Sequence, residues 1–214
     1  MMNPEEEAPE EEKNDLILFP ELFSSEPKSR ILGLYGEVNE ESCKTAVASI
    51  YYFRDSGVIE EVVESEEDEE SVVKISNSPI NFIVSTEGGS VTDMFAVYDC
   101  MRDVRKDCEI ISFGVGKVMS AGVLLLAGGT KGKRKVGRNC RLMLHAISGG
   151  HFGSLKELET DIREVRWYQT QYVKALADET NMSEKQIRTI FRKKTDTYFD
   201  AEQAVKWGIA DEMV

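Results

Sequence analysis

This sequence of 214 residues is poor in histidine, in basic side chains relative to acidic ones, and in long hydrophobic runs. It contains two histidines, and 39 acidic against 26 basic side chains give a formal net charge of −13. Such a charge argues against binding to nucleic acid or to an anionic membrane surface. No apolar run approaches the roughly 20 residues that a membrane-spanning helix needs. The start of the chain is rich in glutamate, without the basic character of a signal peptide, so we expect a cytoplasmic protein.

Cysteine is also scarce, and its spacing is irregular. The four cysteines are Cys43, Cys100, Cys108 and Cys140. No two of them form a CxxC pair. In a charged chain without a secretion signal, this pattern predicts free thiols in a reducing compartment.

The length fits one substantial domain with its own core. Residues 1–28 combine glutamate, proline and serine with few apolar side chains, which predicts an acidic, mobile N-terminal segment ahead of a folded domain at 29–214. A second acidic run, Glu60–Glu70, predicts a loop or a frayed helix end on the surface, because repulsion between its charges opposes regular packing.

The middle of the chain alternates short β-rich runs with helical patterns. Strands are predicted at Ile31–Tyr35, Ile80–Ser85, Ile110–Val115, Arg134–Val136 and Arg141–His145. Helices are predicted over Glu41–Tyr52, over Val91–Val104 and from Ser120 onward. This alternation predicts an α/β fold with parallel strand pairing, in which ligands bind just beyond the carboxyl ends of the strands.

The last third of the chain has helical patterns. Ser154 and Glu157 have capping-box spacing and start a long amphipathic helix that runs to about residue 179. Its apolar stripe consists of Leu155, Leu158, Ile162, Val165, Tyr168, Tyr172 and Leu176. This stripe either packs back on the α/β body or buries itself against another subunit. Ser183–Gln186, and Asp200 with Gln203, predict two shorter helices.

Ser120, just ahead of the apolar run Val123–Ala127, has two interpretations. It is either an ordinary helix N-cap or a nucleophile, since the outward N–H of Ala121 and the helix dipole suit a developing negative charge. The local sequence leaves both open. A serine nucleophile needs a base, and the two histidines are the candidates: His145 at the end of an apolar strand and His151 between glycines.

The order of the motifs is more specific than any one of them. Gly88–Gly89 follows a predicted strand and predicts a tight turn, which either presents backbone N–H groups to a ligand or merely connects a strand to a helix. The segment Gly116–Gly122, which contains Ser120, follows the next strand, and His145 follows a later one. A carboxylate comes after them in the chain.

In this order and at this spacing, roughly residues 30–214 resemble the Clp protease proteolytic subunits, the ClpP family of caseinolytic serine peptidases. The resemblance rests on Ser85–Thr92 with Tyr98–Asp99, Gly116–Gly122, Thr130–Arg134, Arg141–His145 with Gly149–Gly150, Thr195–Phe199 and Ala201–Asp211. It implies a crotonase/ClpP-like spiral of βαβ units with a projecting "handle" helix at about 154–179.

The resemblance also implies a role for each site residue. Ser120 would be the nucleophile, His145 the general base and Asp196 the residue that orients the imidazole, while Gly89 and Ala121 would supply the oxyanion N–H donors. An extended substrate would lie as an added strand between two segments. The substrate-binding residues in these segments would be Gly88, Ser90, Val91, Ser148, Gly149 and Gly150.

As to activity and partners, the resemblance implies a serine endopeptidase that cuts unfolded polypeptides to short peptides inside a chamber. The chamber would be a homo-oligomer of stacked heptameric rings, fed by an AAA+ Clp unfoldase that consumes the ATP. This chain itself would need no cofactor and no metal. Two alternatives are an inactive or regulatory ring subunit and a non-hydrolytic crotonase-type enzyme acting on acyl-CoA, and the complete Ser/His/Asp set disfavours both.

Three positions depart from the family's usual pattern. Glu87 stands where proline usually precedes the glycine pair, which could alter the turn or add charge near the cleft. Ala121 stands where methionine often follows the nucleophile. Thr195 replaces an arginine that commonly joins ring-to-ring ion pairs, which puts that coupling in doubt.

Overall fold

The computed structural model describes residues 29–64, 71–150 and 152–214. The acidic segment predicted at 1–28, part of the second acidic run (65–70) and His151 lie outside the described residues. The strands are β1 (Ile31–Val38), β2 (Val58–Glu64), β3 (Ser71–Asn77), β4 (Ile80–Gly89), β5 (Ile110–Met119), β6 (Lys135–Val136), β7 (Arg141–Leu144), β8 (Thr197–Phe199) and β9 (Glu212–Met213). The helices are α1 (Glu40–Ser56), α2 (Val91–Val104), α3 (Ala121–Ala127), α4 (Leu155–Glu179), α5 (Glu184–Phe191) and α6 (Ala201–Lys206).

The predicted α/β fold is confirmed. The described strands β1, β4, β5, β6 and β9 pair in that order, all in parallel, and β7 pairs in parallel with the end of β5. Only the pairing of β8 with β7 is antiparallel within this sheet. Parallel neighbours require crossover helices, which α1, α2 and α3 provide. The carboxyl ends of β4, β5 and β7 therefore meet at one edge of the sheet.

Two strands continue past the glycine residues at which the sequence predicts that they end. β1 runs through Gly36 to Val38, with a register shift at Gly36, whose φ is +75°. β4 includes Gly88 and Gly89, which pair with Glu37 and Val38 of β1. The tight turn predicted at the glycine pair is therefore wrong. The two glycines bend a strand that keeps its neighbour, because the parallel ladder resumes beyond the irregularity.

The interpretation of the second acidic run as a loop or helix end is also wrong for its described part. Residues 58–64 form β2, which pairs antiparallel with β3 as a separate two-stranded sheet. The register places Glu61 opposite Lys74 and Val62 opposite Val73. The segment is rich in valine and isoleucine as well as in glutamate, and β-branched residues with a paired backbone favour a strand despite the charge.

The capping patterns predicted at Ser154, Ser183 and Asp200 all cap helices, and side chains also cap α1 and α2. Asn39 and Ser42 form a capping box at α1, and Ser90 accepts a hydrogen bond from the N–H of Asp93 at α2. The central helix α3 is buried along its whole length between the sheet and the neighbouring helices. It thus places its first residue, Ala121, in the core and fixes the position of the half-buried Ser120 just before it.

Helix α4 is buried over only part of its length. Ser154 and Glu157 form the predicted capping box at its start. In its last two turns Tyr172, Val173 and Leu176 pack in the core. In its first half, by contrast, Leu155, Ile162 and Val165 of the apolar stripe are more than one-third accessible, as is the neighbouring Trp167. The stripe thus packs back on the body at one end and projects as the handle at the other.

All four cysteines are buried free thiols. None of the described helices is long and apolar enough to span a bilayer. Across the described residues, no group of three or more histidine, cysteine or acidic side chains is arranged to hold a metal ion.

Candidate active site

Ser120 occupies a backbone conformation that side-chain-bearing residues rarely adopt. It links the end of β5 to the start of α3 with φ 52° and ψ −119°, and it is the one non-glycine residue of the described chain with a positive φ. Its N–H donates to the carbonyl of Met143 on β7 (2.8 Å), and its own carbonyl accepts from the N–H of Val123 (3.0 Å). Conformations of this kind cost about 1–3 kcal/mol and concentrate at functional sites.

The side chain of Ser120 does not cap the helix. It makes no capping hydrogen bond to α3, and its Oγ lies 2.8 Å from Nε2 of His145 at the end of β7. The N-cap interpretation is therefore wrong. The strained turn directs the hydroxyl away from the helix N–H groups and toward the imidazole, which is the arrangement that a serine nucleophile and its base require.

Asp196 lies near His145 but outside hydrogen-bonding distance. Its Oδ1 is 4.0 Å from Nδ1 of His145, and its side chain is 48% exposed. A hydrogen bond between such groups needs about 3 Å. The structure thus brings Ser120 and His145 into hydrogen-bonding contact. Asp196 lies on the Nδ1 side of the imidazole, about 1 Å beyond hydrogen-bonding distance.

Both glycines of the pair are closely packed, Gly88 against Ser120 and Gly89 against Val38. A Cβ on Gly88 would lie 2.6 Å from the Cβ of Ser120, and one on Gly89 would collide with the carbonyl oxygen of Val38. Their φ angles are +102° and +151°. The Thr86 hydroxyl holds the bend, since it accepts from the N–H of Gly88 (2.9 Å) and donates to the carbonyl of Gly36. Only glycine fits this close approach of β4 to the nucleophile.

The two small residues after Ser120, Ala121 and Gly122, have different structural roles. Ala121 is the first residue of α3, so its N–H belongs to the group that a helix leaves without an intrahelical acceptor. A Cβ on Gly122 would instead collide with the methyl group of Thr86. The small residue at 122 is thus required by packing between α3 and β4.

A cavity of about 170 Å³ lies in front of the serine. Its lining residues are Gly89, Ser90, Val91, Met94, Ser120, Ala121, His145, Ile147, Ser148 and Tyr172. Seven of the eleven residues expected from the sequence are among them. Of the others, Gly88 is buried behind Ser120, Asp196 lies behind the imidazole, and Gly149 and Gly150 are exposed in the loop after β7.

Three lining residues were not expected from the sequence: Met94, Ile147 and Tyr172. Met94 and Tyr172 sit on helical apolar stripes, which the sequence assigns only to packing. Ile147 lies in the loop after His145, where its N–H donates to Oε1 of Gln169 on α4 (2.8 Å). Tyr172 lies 52 residues after Ser120 in the sequence, so no local pattern indicates that the two residues are in contact.

Glu87 forms an ion pair at the edge of the site. Its carboxylate lies 2.6 Å from Nζ of Lys117 on β5, and both side chains are about half exposed. The hydrogen bond from Lys117 lowers the pKa of Glu87 below its usual range. The acidic residue therefore adds no uncompensated charge near the glycine pair.

A family model described as Clp protease matches residues 71–214, about two thirds of the chain. The matched segment contains the glycine pair, Ser120, His145 and Asp196.

Proposed function

The chain belongs to the Clp protease family, and from this premise we propose that it is a serine endopeptidase whose nucleophile is Ser120. One observation carries the proposal: the 2.8 Å contact between Ser120 Oγ and His145 Nε2, at a strained turn that opens on a cavity. The family supports peptidase activity in general, and this contact supports serine chemistry in particular.

In the proposed reaction, His145 Nε2 takes the proton of Ser120 Oγ as the oxygen attacks a peptide carbonyl. The N–H groups of Gly89 and Ala121 stabilise the resulting oxyanion. Collapse of the tetrahedral intermediate expels the amine, which His145 protonates, and leaves an acyl group on Ser120. A water molecule, deprotonated by His145, then attacks this ester; the bond to Ser120 Oγ breaks, His145 returns the proton to that oxygen, and the second peptide is released. No metal or cofactor takes part in these steps.

The substrate that suits this site is an extended, unfolded polypeptide. Residues 89–91 and Ser148 line the cavity, so a peptide that adds a strand between the segments 89–91 and 148–150 would place its carbonyl at Ser120. Hydrogen bonding to the substrate backbone recognises few of the substrate's side chains, and the cavity in front of Ser120 is small. We therefore expect broad sequence tolerance and short peptide products.

The proposed assembly is a homo-oligomer of stacked heptameric rings, fed by an AAA+ Clp unfoldase that uses ATP. The family in general forms rings that work with Clp ATPases. In this chain the exposed apolar half of α4 supports burial against another subunit, since large apolar patches are uncommon on monomers. The buried free thiols support a reducing compartment, and we propose the cytoplasm.

A fluorophosphonate probe, which reacts with activated serines, tests the proposal on the full chain. We expect it to label wild-type protein at Ser120. Labelling should disappear in Ser120→Ala and fall by several orders of magnitude in His145→Ala, since nucleophile and base act as a unit. Ser76→Ala removes an exposed serine on β3 and is the matched control. Wild-type protein that neither labels nor cleaves an unfolded polypeptide would overturn the assignment.

A further inference from the structure

Tyr172 contacts the backbone of the nucleophile from helix α4. Its hydroxyl donates a 2.7 Å hydrogen bond to the carbonyl oxygen of Ser120. The side chain is 3% exposed, and its ring stacks on Phe191 of α5 with a centroid distance of 5.6 Å. Burial raises the pKa of the Tyr172 phenol, so the hydroxyl keeps its proton and remains a donor at neutral pH.

The acceptor of this hydrogen bond belongs to the same peptide group as the N–H of Ala121. A trans peptide is planar, and its C=O and N–H point in opposite directions. A donor that holds the Ser120 carbonyl in the core therefore also holds the Ala121 N–H outward, toward the cavity. The same hydrogen bond polarises the peptide and makes its N–H a better donor.

The strained backbone of Ser120 explains why a hydrogen bond from Tyr172 is needed to fix the orientation of this peptide group. At φ 52° and ψ −119° the residue is outside the regions that side chains prefer, so rotation of the peptide would relieve strain. The N–H of Val123 is the other donor to the Ser120 carbonyl, at 3.0 Å. It comes from the same short helix, whereas Tyr172 comes from α4 and ties the peptide to a separate element.

We propose that Tyr172 is a positioning residue that sets the orientation of the Ala121 N–H as an oxyanion donor by holding the Ser120 carbonyl. The inference rests on the proposed function, because it concerns the oxyanion of the same acyl-transfer reaction. It makes the last turns of α4 part of the site, although Tyr172 does not touch the reacting atoms.

The test compares Tyr172→Phe with wild-type protein. Phenylalanine keeps the ring and its stacking on Phe191 and removes only the hydroxyl. Tyr168→Phe is the matched control, since Tyr168 lies one turn earlier on α4 and stacks on Phe95. Two inhibitors are used: a peptide aldehyde, which forms a tetrahedral adduct with the serine and needs the oxyanion donors, and the corresponding peptide alcohol, which forms no adduct.

We expect Tyr172→Phe to weaken aldehyde binding by about tenfold, less than the hundredfold or more that follows loss of an oxyanion donor itself. Binding of the alcohol should stay unchanged, kcat should fall by about the same factor as aldehyde binding, and KM should stay constant. Tyr168→Phe should match wild type in every measurement.

Equal weakening of aldehyde and alcohol would show a general packing role and overturn the inference, as would no change in either. Failure of the proposed function is distinguishable, because wild-type protein would then show no fluorophosphonate labelling and no preference for the aldehyde over the alcohol. That result would remove the inference together with the function.

Discussion

Single residues define the candidate site through contacts closer than ordinary packing. Gly88 approaches the Cβ of Ser120, and Gly122 approaches Thr86, so β4, β5 and α3 meet with almost no side chain between them. Among the residues that the structure describes, the neighbour of Ser120 Oγ that is suited to proton transfer is His145. Precision at the nucleophile thus depends on positions that carry no functional group.

Gly88→Ala tests this dependence. The new methyl group would meet the Cβ of Ser120 at 2.6 Å, and the positive φ of Gly88 disfavours any side chain. We expect the free energy of unfolding to fall by about 1–3 kcal/mol and kcat to fall by more than a hundredfold, because misplaced reacting groups lose rate steeply. Denaturant unfolding and a peptidase assay measure the two effects.

Gly137→Ala is the control for Gly88→Ala, since a Cβ at 137 would meet its nearest atom at an ordinary 3.6 Å. It should change stability by less than about 1 kcal/mol and leave kcat unchanged. Equal activity of the two variants would mean that the close approach of β4 to Ser120 is unimportant.

The distance between Asp196 and His145 gives a second prediction at this scale. A carboxylate that orients the imidazole through a hydrogen bond is worth about 10⁴ in kcat. At 4.0 Å and half exposed, Asp196 acts only through weak, screened electrostatics. We expect Asp196→Asn to lower kcat by roughly tenfold at neutral pH, far less than His145→Ala does. A loss near 10⁴ would instead require the two residues to close into contact during turnover.

The sequence indicated some of these residues and not others. Ser120 and His145 could be found because histidine is scarce and both side chains follow predicted strands. Asp196 was assigned through resemblance alone, and the sequence contains nothing that reports its distance from the imidazole. Tyr172 was missed because periodicity shows that a residue faces inward, and not which polar group its hydroxyl meets there.

Among the elements, helices α2 and α4 are joined by a buried charge. Glu179, the last residue of α4, is 2% exposed and accepts hydrogen bonds from Arg105 (2.6 and 3.0 Å) and from the Tyr98 hydroxyl (2.8 Å). The carbonyl of Glu179 also accepts from Arg134, which pairs with Asp211. The buried end of the handle helix is thus tied to α2 and to the C-terminal region.

The substitution Glu179→Gln measures how much the hydrogen bonds and the charge interaction of the Glu179 carboxylate contribute to stability. Burial alone would raise the pKa of Glu179, but the hydrogen bonds from Arg105 and Tyr98 and the Arg105 charge hold it below its usual range. The stabilisation is therefore complete above the unfolded value of about 4.3 and is lost as the pH falls through the lower folded pKa. We expect the variant to be about 2–3 kcal/mol less stable between pH 5 and 8. The difference should shrink below about pH 4.

Glu184→Gln is the matched control for this experiment, because Glu184 forms an exposed pair with Arg188 one turn away on α5. It should change the free energy of unfolding by less than about 0.5 kcal/mol. A pH-independent difference for Glu179→Gln would show that the lost interaction is one of packing and not of charge.

The antiparallel pair of strands β2 and β3 shows that a high density of acidic residues can lead to a wrong secondary-structure prediction. Because the run of glutamates dominates the β-branched residues among them, the sequence predicts a loop or a frayed helix end for this segment. Strand pairing depends on a partner segment, and Ser71–Asn77 supplies one within a few residues. The helices were easier, because caps such as Ser154 and Ser183 are local signals that need no distant partner.

At the scale of the whole molecule, the exposed half of α4 is the surface on which the proposed ring assembly depends. Ile162 is 51% exposed at the middle of its stripe. We expect Ile162→Glu to reduce the mass of the assembled particle in native mass spectrometry, because a charge would have to be buried in an apolar interface. Circular dichroism should stay unchanged, since the residue is outside the core.

Thr160→Glu is the control for Ile162→Glu. It adds the same charge two residues away, on the opposite face of the helix, and should leave the assembly intact. Assembly that tolerates both substitutions would exclude the first half of α4 as the interface.

The backbone strain at Ser120 also means that the protein gives up stability in order to hold a reactive group. Glycine adopts the same φ and ψ without penalty, so a Ser120→Gly chain would be an inactive form that folds at least as firmly as the active one. Such a chain, assembled into rings, would admit polypeptides and release none as fragments. The positive φ of a single serine therefore suggests how to make a stable trap that retains, and so identifies, the natural substrates.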